Sequence, residues 1–174
     1  FEVGLAFLPS NLIMAACSVS LSATLVTRYG LRIPMAAGLG MAALGLALFA
    51  RAPVDGSAWI DVLPGMLLAG FGGGIAFNPV LMAAMSDVEP EESGLASGMV
   101  NTAFMLGGSL ALAALAAAAA ARSATLAQHG ADATAALNGG YQLAFMLGAI
   151  AAGLAAVIGG SLIRNPAQPP PAAH

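Results

Sequence analysis

The chain has 174 residues, 59% of them hydrophobic and only 7% charged, with five arginines, no lysine and eight acids giving a formal net charge of -3. A water-soluble helical bundle of this length needs polar outer faces, and a mean hydropathy of +0.88 leaves too few polar residues to make them. The net charge identifies no partner class, because so few residues contribute to it.

Almost every charge falls in a gap between five apolar blocks, at about 3–26, 33–50, 60–85, 95–121 and 141–163. Each block has about 18 to 27 residues, and at about 1.5 Å per residue about 20 are enough to cross a hydrocarbon core of about 30 Å. The expected fold class is therefore an all-α membrane protein with five transmembrane helices. The 22 glycines suit helices that approach one another closely in lipid.

In the first block Asn11, Ser18 and Ser22 recur at helical spacing, and Cys17 reads as a small hydrophobe. The loop that follows carries Arg28 and Arg32. In the third block Gly70, Gly74 and Asn78 share one face, and Pro79 removes the donor for the Ile75 carbonyl, which predicts a bend. Asn78 then either covers that bend, acts as helix glue or faces a water-filled pathway. The acidic loop Asp87, Glu89, Glu91, Glu92 surrounds Pro90, which suits a first helical turn; the acids favour the positive end of the next helix dipole or form a partner-binding patch. In the fourth block Gly94, Gly98, Asn101, Met105 and Gly108 form a second narrow face, with Gly107 beside it. Gly94 and Gly98, like Gly70 and Gly74, are GxxxG pairs that predict helix contacts. After Arg164 the proline-rich end reads as a disordered tail. The chain begins with Phe1 and shows no signal-peptide pattern, which is expected of the C-terminal piece of something longer.

Alternating spans and the arginine distribution place the first loop, the third loop and the tail in the cytoplasm, with Arg51 to Trp59 and Ser123 to Asn138 outside. No catalytic site is expected. The run from Gly70 to Gly74 lacks the lysine of a phosphate loop, neither His129 nor His174 sits in a triad or metal cluster, and no block holds a carboxylate pair. No enzyme activity, cofactor, metal or nucleic-acid partner is expected.

The stretch from Ala23 to Arg32, ATLVTRYGLR, resembles the G-x-L-x-D-R-x-G-R-R loop of the major facilitator superfamily. Leu25, Arg28, Gly30 and Arg32 match it, whereas Ala23 and Thr27 replace the glycine and the aspartate, so that acid's salt bridge does not carry over. The segments GMLLAGFGGGIAFNP and EESGLASGMVNTAFMLGGSLALA resemble the fourteen-helix drug:proton antiporter branch, the EmrB/QacA type, through Gly94, Ala96, Ser97, Gly98, Asn101, Thr102, Leu106, Gly107 and Gly108. The branch's Arg-Gln pair is replaced by Phe104 and Met105, and an intramembrane arginine by Met66.

The resemblance implies that the five spans form most of the C-terminal half of a major facilitator fold in a bacterial plasma (inner) membrane. The implied activity is efflux of small lipophilic compounds in exchange for protons, with the coupling residues in an N-terminal half that is missing from this sequence. Alternatives are a major facilitator uptake porter for a small metabolite and a non-transporting membrane subunit. Besides the bilayer, the implied partners are the substrate, protons and that other half. Asn11, Asn78 and Asn101 are the expected polar contacts of a substrate cavity whose apolar wall includes Met66, Phe71, Phe104 and Met105.

Overall fold

A computed structural model describes residues 24–53 and 62–162 of the protein. Residues 24–29 are helical. Four longer helices follow: α1 (Arg32–Phe49), α2 (Leu63–Ala84), α3 (Ser93–Gln128) and α4 (Ala133–Leu162), with a 3-10 turn at Pro90–Glu92 leading into α3. All four are long and apolar enough to cross a membrane, and the described residues contain no strand. Asn11, Cys17, Ser18, Ser22, most of the first block and the tail lie outside the described residues.

The second and third blocks and their helices end within three residues of each other. The fourth and fifth do not: α3 continues to Gln128 and α4 begins at Ala133, so the outer loop expected over Ser123 to Asn138 shrinks to residues 129–132. Alanine is the best helix former, and the alanine-rich run after Leu115 keeps α3 helical well past the thickness of a bilayer. Gly130 ends it. With φ of +84° it takes the left-handed conformation while its own N–H reaches the Ala127 carbonyl and the N–H of Ala131 reaches Leu126, the Schellman arrangement. The Asp132 carboxylate then accepts the N–H of Thr134 and starts α4.

Neighbouring helices run antiparallel, with α1 between α2 and α4 and the C-terminal half of α3 packed on α4. The α1–α2 seam consists of small residues. A Cβ on Gly38 would lie 2.7 Å from both the Gly72 carbonyl oxygen and the Ala76 nitrogen, and one on Gly45 would lie 2.5 Å from the Ala69 nitrogen. Gly65, Ala69, Gly72 and Ala76 thus form the close-contact face of α2. Open space surrounds Gly70, whereas Gly74 is buried, so the packing face is rotated from the Gly70–Gly74 pair expected. The helix also runs through Pro79, which is fully buried, and neither Ile75 nor Asn78 is left without a partner.

On its other side α1 is fixed to α4 at both ends. Arg32 donates from Nε to the Gly160 carbonyl in the last turn of α4, and beyond the other end of α1 Gln142 and Asn138 donate to the Ala52 carbonyl at 2.9 and 3.3 Å. Phe49 stacks on Phe145 between these ends at 5.1 Å, and Met35 fills the space over Gly159. α3 touches α4 only through its C-terminal half, where Leu126 lies over Gly139, and Ala119 and Ser123 press on Gly140. The N-terminal half of α3 instead faces the C-terminal half of α2, and no residue of α3 is buried.

Candidate functional site

The divergence of α3 opens a cleft of about 410 Å³ between its N-terminal half and the C-terminal half of α2. Phe77, Leu81 and Met85 line the α2 wall at i, i+4 and i+8; Ser97, Val100, Asn101, Phe104 and Met105 line the α3 wall. Phe77 and Phe104 meet edge to face across it, 5.7 Å apart with an interplanar angle of 79°. Aromatic pairs favour this arrangement, in which the edge of one ring meets the face of the other. The lining is mainly carbon and sulfur, the surface that an adaptable site for apolar molecules presents.

Of the predicted cavity residues, Asn101, Phe104 and Met105 come together in this cleft. Asn78 follows Phe77 in sequence but does not line the cleft, and Met66 and Phe71 lie nearer the N-terminal end of α2, also away from it. Asn11 lies outside the described residues. Phe77, Leu81, Met85 and Val100 were not singled out from the sequence, and Ser97 was named for the motif it matches and not as a cavity residue. Their signal was the four-residue spacing of Phe77, Leu81 and Met85, and of Ser97, Asn101 and Met105.

The glycines Gly94, Gly98, Gly107 and Gly108 have nothing within 4 Å of the position a Cβ would take, so no described element packs on them. Gly94 and Gly98 instead floor a shallow surface groove with Leu95, Met99, Thr102 and Leu106.

The loop motif lies at one end of the row. Gly30 has φ of +74° and its N–H returns to the Val26 carbonyl, ending the helical segment 24–29 in a conformation that favours glycine. The chain turns straight into α1, where Leu31 and Pro34 are buried. Arg32 is thereby aimed at the C-terminus of α4. The carbonyls there lack helical donors and carry the negative end of the dipole, so a guanidinium satisfies both. Arg28 lies over the Tyr29 ring, 5.8 Å from its centroid. Thr27, at the position of the family aspartate, donates its hydroxyl to the Thr24 carbonyl at 3.0 Å, so it acts within its own turn. The side chain of Leu25 is half-buried.

A family model described as Major Facilitator Superfamily matches residues 1–112, well over half of the chain. The chain belongs to the major facilitator superfamily. Membership sets it among membrane transport proteins and not among enzymes. Similar relatives include the puromycin resistance protein pur8 of Streptomyces alboniger, 35% identical over 81% of this chain and 29% of its own length. The multidrug resistance protein Stp of Mycobacterium tuberculosis is 37% identical over 72% of this chain and 23% of its own length. The cephamycin export protein CmcT of Amycolatopsis lactamdurans is 31% identical over 66% of this chain and 24% of its own length. The matched part of this major facilitator chain thus spans roughly a quarter of each relative. No solved structure matches it.

Proposed function

We propose that this chain is the C-terminal part of a drug:proton antiporter of the fourteen-helix EmrB/QacA branch, and that the whole transporter expels small lipophilic compounds from the cytoplasm of a bacterium. The cleft between α2 and α3 carries this reading. It offers two phenylalanines and two methionines with few polar groups, a surface that accommodates varied apolar molecules. The three relatives support the direction of transport, since their names describe resistance or export.

In this reading the cleft is one wall of a cavity completed by an N-terminal half, which supplies the proton-coupling residues. The open glycine groove along Gly94 and Gly98, continued past Gly107 and Gly108, is a surface that a helix of that half covers, since small residues admit a close backbone approach. Asn11, Asn78, Met66 and Phe71 contribute to the same cavity from outside the cleft. The end of the row carrying Arg28 and Arg32 faces the cytoplasm, as does the tail, in keeping with the arginine distribution.

The test is transport by the whole protein, joined to its upstream half, in everted membrane vesicles with an acidic interior. Accumulation of N-phenyl-1-naphthylamine coupled to proton exit from the vesicle is expected. Substrate and protons leaving together would establish an uptake porter, and no transport with correctly inserted protein would leave a non-transporting subunit; either result overturns the proposal.

A further inference from the structure

Polar side chains on a helix at membrane depth need partners, because lipid supplies none and an unsatisfied group there costs several kcal/mol. Along α3 most hydroxyls find them within the helix. Ser93 donates to the Pro90 carbonyl, Thr102 to Gly98, Ser109 to Met105 and Thr125 to Ala121, all at 2.8 to 2.9 Å. Ser97, Asn101 and, near the other end, Ser123 differ: among the described residues none of these side chains makes a hydrogen bond, and of the three Ser97 and Asn101, both exposed, line the cleft. Those two stand one helical turn apart on the same wall. Asn78, by contrast, already has a partner and is not part of the lining.

From this pair we infer that the cleft selects uncharged aromatic compounds carrying an amide or similar neutral group that both donates and accepts hydrogen bonds, with Ser97 and Asn101 as the specificity-determining residues. The inference rests on the efflux reading above and names its substrate class. An aromatic ring enters beside the edge-to-face pair Phe77 and Phe104. The Asn101 side chain has a carbonyl and an NH2 group and Ser97 a hydroxyl, so together they match a donor–acceptor pair on the ligand. Neither is ionised, so they offer a cation no charge pairing. A compound without the polar group displaces water from both side chains and leaves them unpaired, which is how a hydrogen-bonding site rejects an analogue. Hydrogen-bond recognition thus sets the preference, while apolar burial sets the general affinity.

The experiment uses the whole transporter in everted vesicles with three probes of similar size: N-phenyl-1-naphthamide, the hydrocarbon 1-benzylnaphthalene and the cation ethidium. The readout is the ratio of initial transport rates at limiting substrate. Wild type should favour the amide over both others, and Asn101→Leu, close in volume but unable to hydrogen bond, should lower the amide-to-hydrocarbon ratio about tenfold. Ser97→Ala should lower it about threefold, and it keeps the test open if Asn101→Leu fails to insert. A ratio unchanged in both variants, or equal loss for all three probes, would overturn the assignment while leaving efflux intact. Absence of transport of every probe by the wild type would instead overturn the efflux reading, and this inference with it.

Discussion

Gly45→Ala adds one methyl group where backbone meets backbone. Its Cβ would lie 2.5 Å from the Ala69 nitrogen, 2.7 Å from the Gly65 carbonyl oxygen and 2.9 Å from the Ala69 Cα, whereas ordinary contact begins at 3.4 Å. Relief therefore requires α1 and α2 to separate by roughly 0.9 Å, because none of these atoms belongs to a side chain that could rotate away. That separation also lengthens the dispersion contacts along the rest of the seam, at Gly38, Gly72 and Ala76. Overpacking of this kind costs about 1–3 kcal/mol, and backbone on both sides puts Gly45→Ala near about 3 kcal/mol. Gly40→Ala and Gly73→Ala are the controls: nothing lies within 4 Å of either position, so both should be neutral or stabilising by up to about 1 kcal/mol through the better helix propensity of alanine. Reversible unfolding of the purified protein in mixed micelles, titrated with dodecyl sulfate, measures the three differences side by side. If Gly45→Ala unfolds at the same midpoint as Gly40→Ala, the helices are not in backbone contact and the small-residue seam is wrong.

Three further outcomes follow from the same geometry. Gly30→Ala should destabilise the loop by about 1–2 kcal/mol because its φ of +74° is unfavourable for a side chain, and Gly30→Asn should recover most of the loss in the same titration; equal stability of Gly30→Ala and wild type would place the turn elsewhere. Gln142→Leu and Asn138→Leu should each cost about 0.5–1 kcal/mol and the double variant more than their sum, since the Ala52 carbonyl keeps one donor in either single variant and none in the double; strict additivity would show that the two donors act independently. Cysteine at position 131 should label from outside intact cells with an impermeant maleimide and cysteine at position 29 should not, because the two lie at opposite ends of the row and the arginine distribution predicts a cytoplasmic Tyr29; the reverse pattern would invert the topology.

The apolar blocks were legible because bilayer thickness sets a length, and the second and third gave α1 and α2 to within three residues at each end. Where a block tapers into alanine, hydropathy ends before the helix does. The stop at Gly130 and the start at Asp132 were written in the residues H-G-A-D, but as capping chemistry and not as hydropathy. Asn138 and Gln142 were missed for a related reason: Asn138 was assigned to a loop and Gln142 to an apolar block, whereas α4 presents both to the Ala52 carbonyl. The phase of α2 was harder. A helix that is apolar all round has no polar side to orient it, so Gly70, Gly74 and Asn78 described as regular a face as Gly65, Ala69, Gly72 and Ala76. Only the partner decides between them, and the seven-residue spacing of Gly38 and Gly45 on α1 fits the second face.

The same contrast explains where the cleft lies. α1 is joined to α2 through backbone contact and to α4 by polar bonds at both ends, so these three helices form a closely tied set. The C-terminal half of α3 belongs to it through Gly139 and Gly140. Its N-terminal half has no such glycine seam among the described residues; Leu95, Met99, Leu106 and Leu110 are each at least 60% exposed, and the edge of one ring against another at Phe77–Phe104 bridges it to α2. One wall of the cleft is therefore carried by a tightly held helix and the other by a half-helix with few contacts. Local stability follows contact density, so a change in cleft width is least costly as a displacement of the α3 wall. Two uncommitted polar side chains, Ser97 and Asn101, lie on that wall.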